Sequence, residues 1–216
     1  MKASFTQALS MYSGITQGLY PVSSITHTPG LIHYSVDLCD DLSRDLKVGA
    51  SINVDGVCQS VCGIDANRVM FDAMAETLRV TTLSELKISQ RVSIERSLKV
   101  GDEHGGHDIY GHVSGVATLI HRTATKDNLE LEFQCPPSWM CYLIPKGFIA
   151  LNGSSLTLCE CHKDGRFTVH LIPQTLGLTN FGALAINDQV NVELDAKAQL
   201  IVNTVRDTLS EMKVLN

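Results

Sequence analysis

INVDGVCQSV, residues 52–61, and IALNGSSLTL, residues 149–158, are two versions of one β-hairpin. Each has apolar or β-branched residues at nearly every second position, on both sides of an Asp-Gly or Asn-Gly pair. Those dipeptides favour the two-residue turn that joins antiparallel strands, because both central residues of that turn have positive φ. The two hairpins lie 97 positions apart, which indicates an internal repeat.

The repeat extends over most of the chain. GITQGLYPVSSI from Gly14 aligns with GHVSGVATLIH from Gly111 at the same shift of 97 positions. After one inserted residue the shift becomes 98, at which Glu95 aligns with Glu193. A common shift over several separate motifs is hard to produce by chance. The sequence therefore predicts a tandem duplication.

Each half is rich in short segments typical of β-strands. These segments are SINVDGVCQSVC, RVMFDAM, RVSIER, FIALNGSSLTLCEC, RFTVHLI and QVNVEL, and short helical turns are predicted at SELK and PPSWMCYL. About six short strands in roughly 90 residues favour a small closed antiparallel barrel, because closure removes the unpaired edges of a sheet.

The C-terminal segment has a different pattern. In DAKAQLIVNTVRDTLSEM, apolar side chains recur at helical spacing at Leu200, Ile201, Val205 and Leu209. A helix attached to two barrels has no core of its own, so we expect it to pack on a barrel or to meet copies of itself in an oligomer. The predicted division is an N-terminal extension (1–10), a first barrel (11–107), a second barrel (108–196) and a C-terminal helix (197–216).

The composition excludes two classes of partner. The 216 residues include 17 Lys and Arg, scattered singly, against 23 Asp and Glu, for a formal net charge of −6. Nucleic-acid and anionic-membrane binders carry clustered basic residues, so we expect neither. No segment has the length of a membrane span or the apolar core of a signal peptide. The seven cysteines are an odd number without a disulfide rhythm, which favours a reduced, cytoplasmic setting.

The junction between the halves, DEHGGHDIYGH at residues 102–112, carries three histidines and three acidic residues. A metal site is one interpretation, but no matching group of cysteines or carboxylates stands at a fixed spacing elsewhere. A phosphate loop is weaker still, because no helix follows. We expect DEHGG to be a linker and DIYGHVSG to be the first strand of the second repeat.

Seven motifs stand in order along the chain: MYSGITQG, FDAMAETLRVTTL, GGHDIYGH, YLIPKGFI, NGSSLTL, HLIPQTL and NTVRDTL. Together they resemble riboflavin synthase, the lumazine-binding enzyme with two barrels, from residue 11 to about residue 209. The resemblance implies an all-β fold, namely a tandem duplication of a six-stranded antiparallel Greek-key barrel plus a C-terminal α-helix.

The resemblance also implies an activity. Two molecules of 6,7-dimethyl-8-ribityllumazine, one in each of two barrels, would be dismutated by transfer of a four-carbon unit. The products are riboflavin and 5-amino-6-(D-ribitylamino)uracil, and the family uses no metal and no redox cofactor. The family is a homotrimer held by the C-terminal helix, with each active site between the first barrel of one subunit and the second barrel of a neighbour.

The site residues that the resemblance implies fall into two groups. Those near the reacting carbons are Ser51, Cys58, His107, His112 and Asp195. Those expected to bind substrate are Gly14, Ile15, Thr16, Cys58, Gln59, Ser60, Asp72, Ala73, Met74, Ala75, Glu76, Thr77, Gly111, His112, Val113, Lys146, Ser155, Leu156, Thr157, Ile172, Pro173, Gln174 and Thr175.

These residue types suit the task. A pteridine is a flat ring edged with carbonyls and nitrogens, which backbone groups bind well, and Gly14 and Gly111 allow close approach of the backbone. His107 and His112 are candidates for proton transfer, because a histidine side chain ordinarily titrates near neutrality, although structural hydrogen bonding is an open alternative. Lys146 would reach a neighbouring subunit's ligand. Cys58 is equally compatible with a buried, inert thiol.

Several positions depart from the family's usual residues, namely Tyr12, Asp55, Gln59, Ser60, Asp108, Tyr110, Asn152 and Gln174. They bear on the reaction more than on the fold. The related lumazine proteins of luminous bacteria bind the chromophore without catalysis, and they typically lack the histidines of GGHxxxGH and the C-terminal helix. Both features are present here, so we expect an active enzyme. The alternative is a non-catalytic lumazine- or flavin-binding antenna or storage protein.

Overall fold

The computed structural model describes residues 10–126 and 128–214. Of the predicted N-terminal extension, all but Ser10 lies outside the described residues. The described chain forms two closed antiparallel barrels of six strands each, followed by a helix. The predicted all-β duplication with a C-terminal helix is confirmed.

The first barrel places its strands in the order β1-β2-β5-β4-β3-β6, with β6 pairing back to β1. Because β3, β4 and β5 form a meander inserted between β2 and β6, the connectivity is a Greek key. The strands are β1 (Gly18–Thr28), β2 (Leu31–Asp37), β3 (Ser51–Val54), β4 (Val57–Asp65), β5 (Arg68–Met74) and β6 (Arg91–Arg96), with helices α1 (Asp40–Ser43) and α2 (Ala75–Val80) and a 3₁₀ turn at Thr82–Glu85.

The second barrel repeats this connectivity in the order β7-β8-β11-β10-β9-β12. Its strands are β7 (Gly115–Ala124), β8 (Leu129–Gln134), β9 (Phe148–Leu151), β10 (Ser154–Cys161), β11 (Arg166–Leu171) and β12 (Gln189–Leu194), with 3₁₀ turns at Pro137–Cys141 and Asn180–Ala183 and helix α3 (Pro173–Leu178). Each barrel has its own apolar interior, in which Tyr34 stacks on Phe71 in the first and Phe133 on Phe167 in the second.

The two quoted hairpins turn as their sequences predict. Asp55 and Asn152 have φ values of 46° and 42°, and the glycines after them have φ values of 86° and 80°. The tips of the two turns also meet, because a Cβ added at Gly56 would lie 2.7 Å from the backbone nitrogen of Gly153. The barrels therefore contact each other at equivalent turns.

The structure corrects one expectation and adds two elements. DIYGHVSG is not the first strand of the second barrel: β7 begins at Gly115, and before it only Ile109 forms an isolated bridge. Helices α2 and α3 follow β5 and β11 within the repeated ETL and QTL motifs. Neither helix was predicted, because six residues are too few to show helical periodicity. The helical turns predicted at SELK and PPSWMCYL are 3₁₀ turns.

Helix α4 (Ala196–Val214) contacts the second barrel through polar side chains. The hydroxyl of Tyr142 donates to Asn203 at 2.7 Å, and Arg206 donates to the sulfur of Cys141 at 3.2 Å. No helix in the described part of the chain is both long and apolar enough to cross a membrane.

Candidate active site

The segments that precede the two barrels pair with each other. Tyr12 and Ile109 form an antiparallel bridge, with N–O distances of 2.7 and 3.1 Å between their backbones. They are 97 positions apart and so occupy equivalent positions in the two repeats. The bridge therefore lies on the approximate two-fold axis that relates the barrels.

Beyond this bridge each segment crosses to the opposite barrel. The Gly14 carbonyl accepts from the backbone N–H of Ser155 on β10 at 2.9 Å. In the equivalent contact, the Gly111 carbonyl accepts from the N–H of Cys58 on β4 at 3.0 Å. We call residues 12–16 and 109–113 the exchanged segments. Each barrel wall is thus completed by the segment that leads into the other barrel.

Glycine is required at both crossing points. Gly14 and Gly111 have φ values of 77° and 73°, which L-residues rarely adopt. A Cβ on Gly111 would lie 2.5 Å from both Cβ and N of Cys58, and a Cβ on Gly14 would lie 2.6 Å from Cβ of Ser155. The backbone of each exchanged segment therefore touches the facing strand directly.

Two buried glutamates hold the exchanged segments from behind. One oxygen of Glu95, on β6, accepts from the N–H and hydroxyl of Ser13 at 2.7 and 2.8 Å, and the other accepts from the N–H of Gly14 at 3.0 Å. Glu193, on β12, accepts from the N–H groups of residues 110, 111 and 112 at 2.8, 2.8 and 3.1 Å. Burial raises the pKa of Glu95 to about 7 and also raises the pKa of Glu193.

A cavity of about 640 Å³ opens where the second exchanged segment meets the first barrel. The predicted site residues that line it are Ser51, Cys58, Ser60, Glu76, Thr77, Gly111, His112 and Val113. They come from β3, β4, α2 and the exchanged segment. The volume is in the range of small-molecule sites.

Three of the predicted reactive side chains meet in this cavity, namely those of Ser51, Cys58 and His112. Ser51 and Cys58 stand on the paired strands β3 and β4, and half-exposed Cys58 receives a hydrogen bond from the hydroxyl of Tyr12 at 3.2 Å. Tyr12 is fully buried, and burial raises the pKa of its hydroxyl well above its usual range. The cavity therefore combines a thiol, a hydroxyl and an imidazole on a wall that a buried phenol supports.

The other two predicted reactive residues lie at the second barrel. His107 is buried, stacks on Phe148 at 5.2 Å, and shares a 2.6 Å hydrogen bond with the Ser155 hydroxyl. Burial lowers the pKa of His107, and the negative charge of Asp195 opposes that shift. Asp195 itself accepts from the N–H of Lys197 at 2.8 Å at the start of α4.

The two barrels do not present equal chemistry at equivalent positions. At the shift of 97 positions, Ser51, Cys58 and His112 of the first cavity correspond to Phe148, Ser155 and Ile15. These positions are therefore more apolar at the second barrel. At the first barrel they carry a thiol, a hydroxyl and an imidazole, which are able to move protons or to add to a carbon.

The remaining substrate-binding predictions divide by position. Thr16, Gln59, Ala73 and Leu156 are buried, and the Gln59 amide accepts from Tyr34 at 3.3 Å rather than facing the cavity. Asp72 pairs with His33 at 2.7 Å on the outer surface. The others, Ile15, Met74, Ala75, Lys146, Thr157, Ile172, Pro173 and Gln174, are exposed or nearly so, and Thr175 is half-buried.

The three junction histidines do not converge. His104 pairs with Asp108 at 3.1 Å, while His107 and His112 lie at opposite barrels. Among the described residues there is no group of three or more His, Cys, Asp or Glu side chains able to hold a metal ion. Asp108 also pairs with Lys197 at 2.6 Å and so ties the junction to α4.

Sequence reasoning missed part of the cavity wall. Ser10, Val57, Val80, Thr81 and Tyr110 also line the cavity, and Tyr12 lies behind it. No strand pattern predicts that Val80 and Thr81 line the cavity, since their position depends on helix α2. Tyr110 was identifiable, because it stands next to the aligned glycine Gly111.

Comparison with known proteins agrees with this geometry. The lumazine binding domain family matches the chain twice, over residues 13–97 and 110–195. A crystal structure of LumP complexed with riboflavin superimposes with a TM-score of 0.78 at 25% identity, covering 84% of this chain and 97% of that one. The chain is therefore built from two lumazine binding domains.

Relatives at higher identity narrow the class. Over 201 residues the chain is 39% identical to riboflavin synthase of Escherichia coli (strain K12), covering 93% of this chain and 94% of that protein. Over 200 residues it is 36% identical to riboflavin synthase of Chlamydia pneumoniae, covering 93% and 98%. The chain belongs to the riboflavin synthase family.

Proposed function

We propose that this protein makes riboflavin by dismutating two molecules of 6,7-dimethyl-8-ribityllumazine, one held at each barrel. One molecule gives four carbons to the other, which yields riboflavin and 5-amino-6-(D-ribitylamino)uracil. The atoms of two substrates equal those of the two products, so no oxidant or reductant is consumed. The observation that carries the proposal is the pair of equivalent backbone edges, Gly111 against β4 and Gly14 against β10.

The first edge suits a flat heterocycle because Gly111, His112 and Val113 form one wall of the cavity. In the first cavity, His112 would accept or return a proton, while Ser51 and Cys58 would contact the reacting ring carbons. At the second barrel, neutral His107 would orient the Ser155 hydroxyl toward its ring. The largest rate effect would come from holding two rings face to face, worth about 7–11 kcal/mol when the geometry is good.

We further propose that the two rings meet between subunits of a homotrimer. The apolar stripe of α4, formed by Leu200, Ile201, Val205 and Leu209, is 53–69% exposed. The helix contacts its own barrel through Asn203 and Arg206 instead. A helix with an exposed apolar stripe is stabilised by packing against copies of itself. Exposed Lys146 would then reach a neighbour's ligand.

The free cysteines favour a location in a reducing compartment. All seven cysteines lie within the described residues and all are free, including the exposed ones at 39, 62 and 141. We propose a cytoplasmic location on this basis, because exposed thiols persist where glutathione keeps them reduced.

The enzymatic proposal is tested by incubating the purified protein with 6,7-dimethyl-8-ribityllumazine alone. We expect flavin fluorescence to rise and the diaminouracil product to appear in equal amount. Cys58→Ser and His112→Ala should each slow turnover at least about ten-fold without lowering the unfolding temperature by more than a few degrees. His27→Ala, an exposed histidine on β1, is the matched control and should be unaffected.

Two outcomes would contradict parts of the proposal. A tightly bound chromophore with no turnover in the wild-type protein would indicate an antenna or storage protein instead. Wild-type rates in both Cys58→Ser and His112→Ala would remove these residues from the reaction.

A further inference from the structure

Among the described residues, Glu95 and Glu193 are two of three buried carboxylates that lack an ion-pair partner, the third being Asp55. Glu95 and Glu193 are 4% and 6% exposed, and no ion pair within the described residues involves either of them. A buried carboxylate without a cation is unfavourable unless several hydrogen-bond donors compensate for the lost water. Here the donors are backbone N–H groups of the exchanged segments, together with the Ser13 hydroxyl.

Those N–H groups need an acceptor because the exchanged segments lie outside the sheets. Apart from the Tyr12–Ile109 bridge and the carbonyl contacts of Gly14 and Gly111 to β10 and β4, residues 12–16 and 109–113 do not pair with a strand. Buried backbone N–H groups are almost always paired. Each glutamate supplies the missing acceptor, and it fixes the direction of two or three consecutive peptide groups.

Each glutamate orients a segment that contacts the opposite barrel. Glu95 belongs to the first barrel and accepts from the N–H of Gly14, but the carbonyl of the same residue accepts from Ser155 in the second. Glu193 belongs to the second barrel, but the Gly111 peptide that it orients presents its carbonyl to Cys58 in the first. The pattern follows from the two-fold arrangement and is the same on both sides.

We propose that Glu95 and Glu193 are positioning residues that act crosswise. Glu95 sets the ring-binding edge of the second barrel, and Glu193 sets that of the first. Neither touches the ring itself. The assignment of these edges to ring binding rests on the proposed function, whereas the crossed mechanical coupling does not.

A purely local role gives a different expectation. If each glutamate only stabilised its own barrel, its removal would loosen the strands next to it, β1 and β3 for Glu95 and β7 and β9 for Glu193. The crossed role instead places the main effect on one backbone amide of the opposite barrel. Amide hydrogen exchange distinguishes the local role from the crossed role, because each crossing contact is made by a single N–H group, that of Ser155 or that of Cys58.

The test compares Glu95→Gln, Glu193→Gln and the control Glu160→Gln, an exposed glutamate on β10, in the full-length protein without ligand. Glutamine keeps the shape but turns one acceptor oxygen into a donor that faces backbone N–H groups. We expect the Ser155 amide to exchange about ten-fold faster or more in Glu95→Gln, and the Cys58 amide to do so in Glu193→Gln, which is the effect of losing one charge-assisted hydrogen bond. Glu160→Gln should change neither.

Ser13→Ala is a milder variant in case Glu95→Gln does not fold. It removes the 2.8 Å hydroxyl bond to Glu95 and the 3.3 Å bond that the hydroxyl accepts from the Ile15 N–H, but it keeps the carboxylate, so it should accelerate the Ser155 amide by a smaller factor. Acceleration confined to the strands of the same barrel, or equal acceleration of both reporter amides in each variant, would overturn the proposal.

A second arm titrates each protein with 6,7-dimethyl-8-ribityllumazine and follows the same two amides by NMR. We expect Glu95→Gln to weaken binding reported at Ser155 about ten-fold and to leave binding reported at Cys58 unchanged, with the reverse in Glu193→Gln. Absence of any binding to the wild-type protein would contradict the proposed function, while the exchange data would still decide the crossed coupling. Binding that changes equally at both reporters would overturn the crossed assignment.

Discussion

Replacement of Gly111 by alanine tests the contact between the exchanged segment and the first barrel. The new Cβ would lie 2.5 Å from Cβ and N of Cys58, whereas ordinary contacts of this kind are 3.4–4 Å. The segment or β4 must therefore move by about 1 Å. Overpacking of this kind destabilises a protein by about 1–3 kcal/mol, and a shift of about 1 Å at a reacting site lowers a rate by about 100-fold.

A second substitution separates this contact from the backbone strain. Gly30 has nearly the same φ as Gly111, 76° against 73°, but a Cβ there would meet nothing closer than 4.0 Å. Gly30→Ala therefore carries only the cost of a left-handed L-residue, about 1–2 kcal/mol, less about 0.4–1 kcal/mol for the reduced entropy of the unfolded chain. Gly111→Ala should lose about 1–3 kcal/mol more.

The assays are urea unfolding and steady-state riboflavin formation. We expect Gly30→Ala to keep near-wild-type turnover and Gly111→Ala to lose most of it, with weaker binding at the first barrel. The reasoning is refuted if the two variants have the same free energy of unfolding and the same turnover, because the close approach of Gly111 to Cys58 would then have no consequence.

Three further outcomes are expected. The pKa of buried Asp55 is raised to about 7, above the 3.8 of an unperturbed aspartate, so the folded protein keeps a proton that the unfolded chain releases. The free energy of unfolding should therefore fall by up to about 1.4 kcal/mol per pH unit between about pH 4 and 7. Asp55→Asn should remove that share of the slope in pH-dependent urea unfolding. Tyr12→Phe removes the hydrogen bond to Cys58 and should cost about 0.5–1.5 kcal/mol in thermal unfolding, with turnover changed only a few-fold because the phenol is fully buried. Leu209→Asp should dissociate the proposed trimer in sedimentation velocity, whereas Ser210→Asp, on the other side of α4, should not.

The repeat made the fold predictable, and the reason is local. Asp55-Gly56 and Asn152-Gly153 each specify a tight turn, and the flanking alternation specifies the strands. A register slip would expose the apolar residues of both strands, so such hairpins have one favourable pairing. Helix α2 escaped prediction because its position is fixed by packing at the end of β5, not by its own periodicity.

The candidate site was predictable only in part. Strand alternation correctly separates Cys58 and Ser60, which line the cavity, from Gln59, whose buried side chain the same alternation places inside the barrel. The resemblance to known enzymes nevertheless put Gln59 among the binding residues. Gln59 does not line the cavity, and its backbone pairs with Ile52 of β3.

The exchange of segments between the barrels could not be predicted from the sequence, because of the symmetry of the repeat. Alignment of Gly14 with Gly111 establishes that the two make equivalent contacts, but the equivalence is the same whether each contacts its own barrel or the other one. What the sequence does contain is the acceptor that such a segment requires. Glutamate recurs at the same place in the last strand of both halves, at Glu95 and Glu193, where an apolar residue would be easier to bury. Its recurrence there implies unpaired backbone donors nearby, and the exchanged segments supply them.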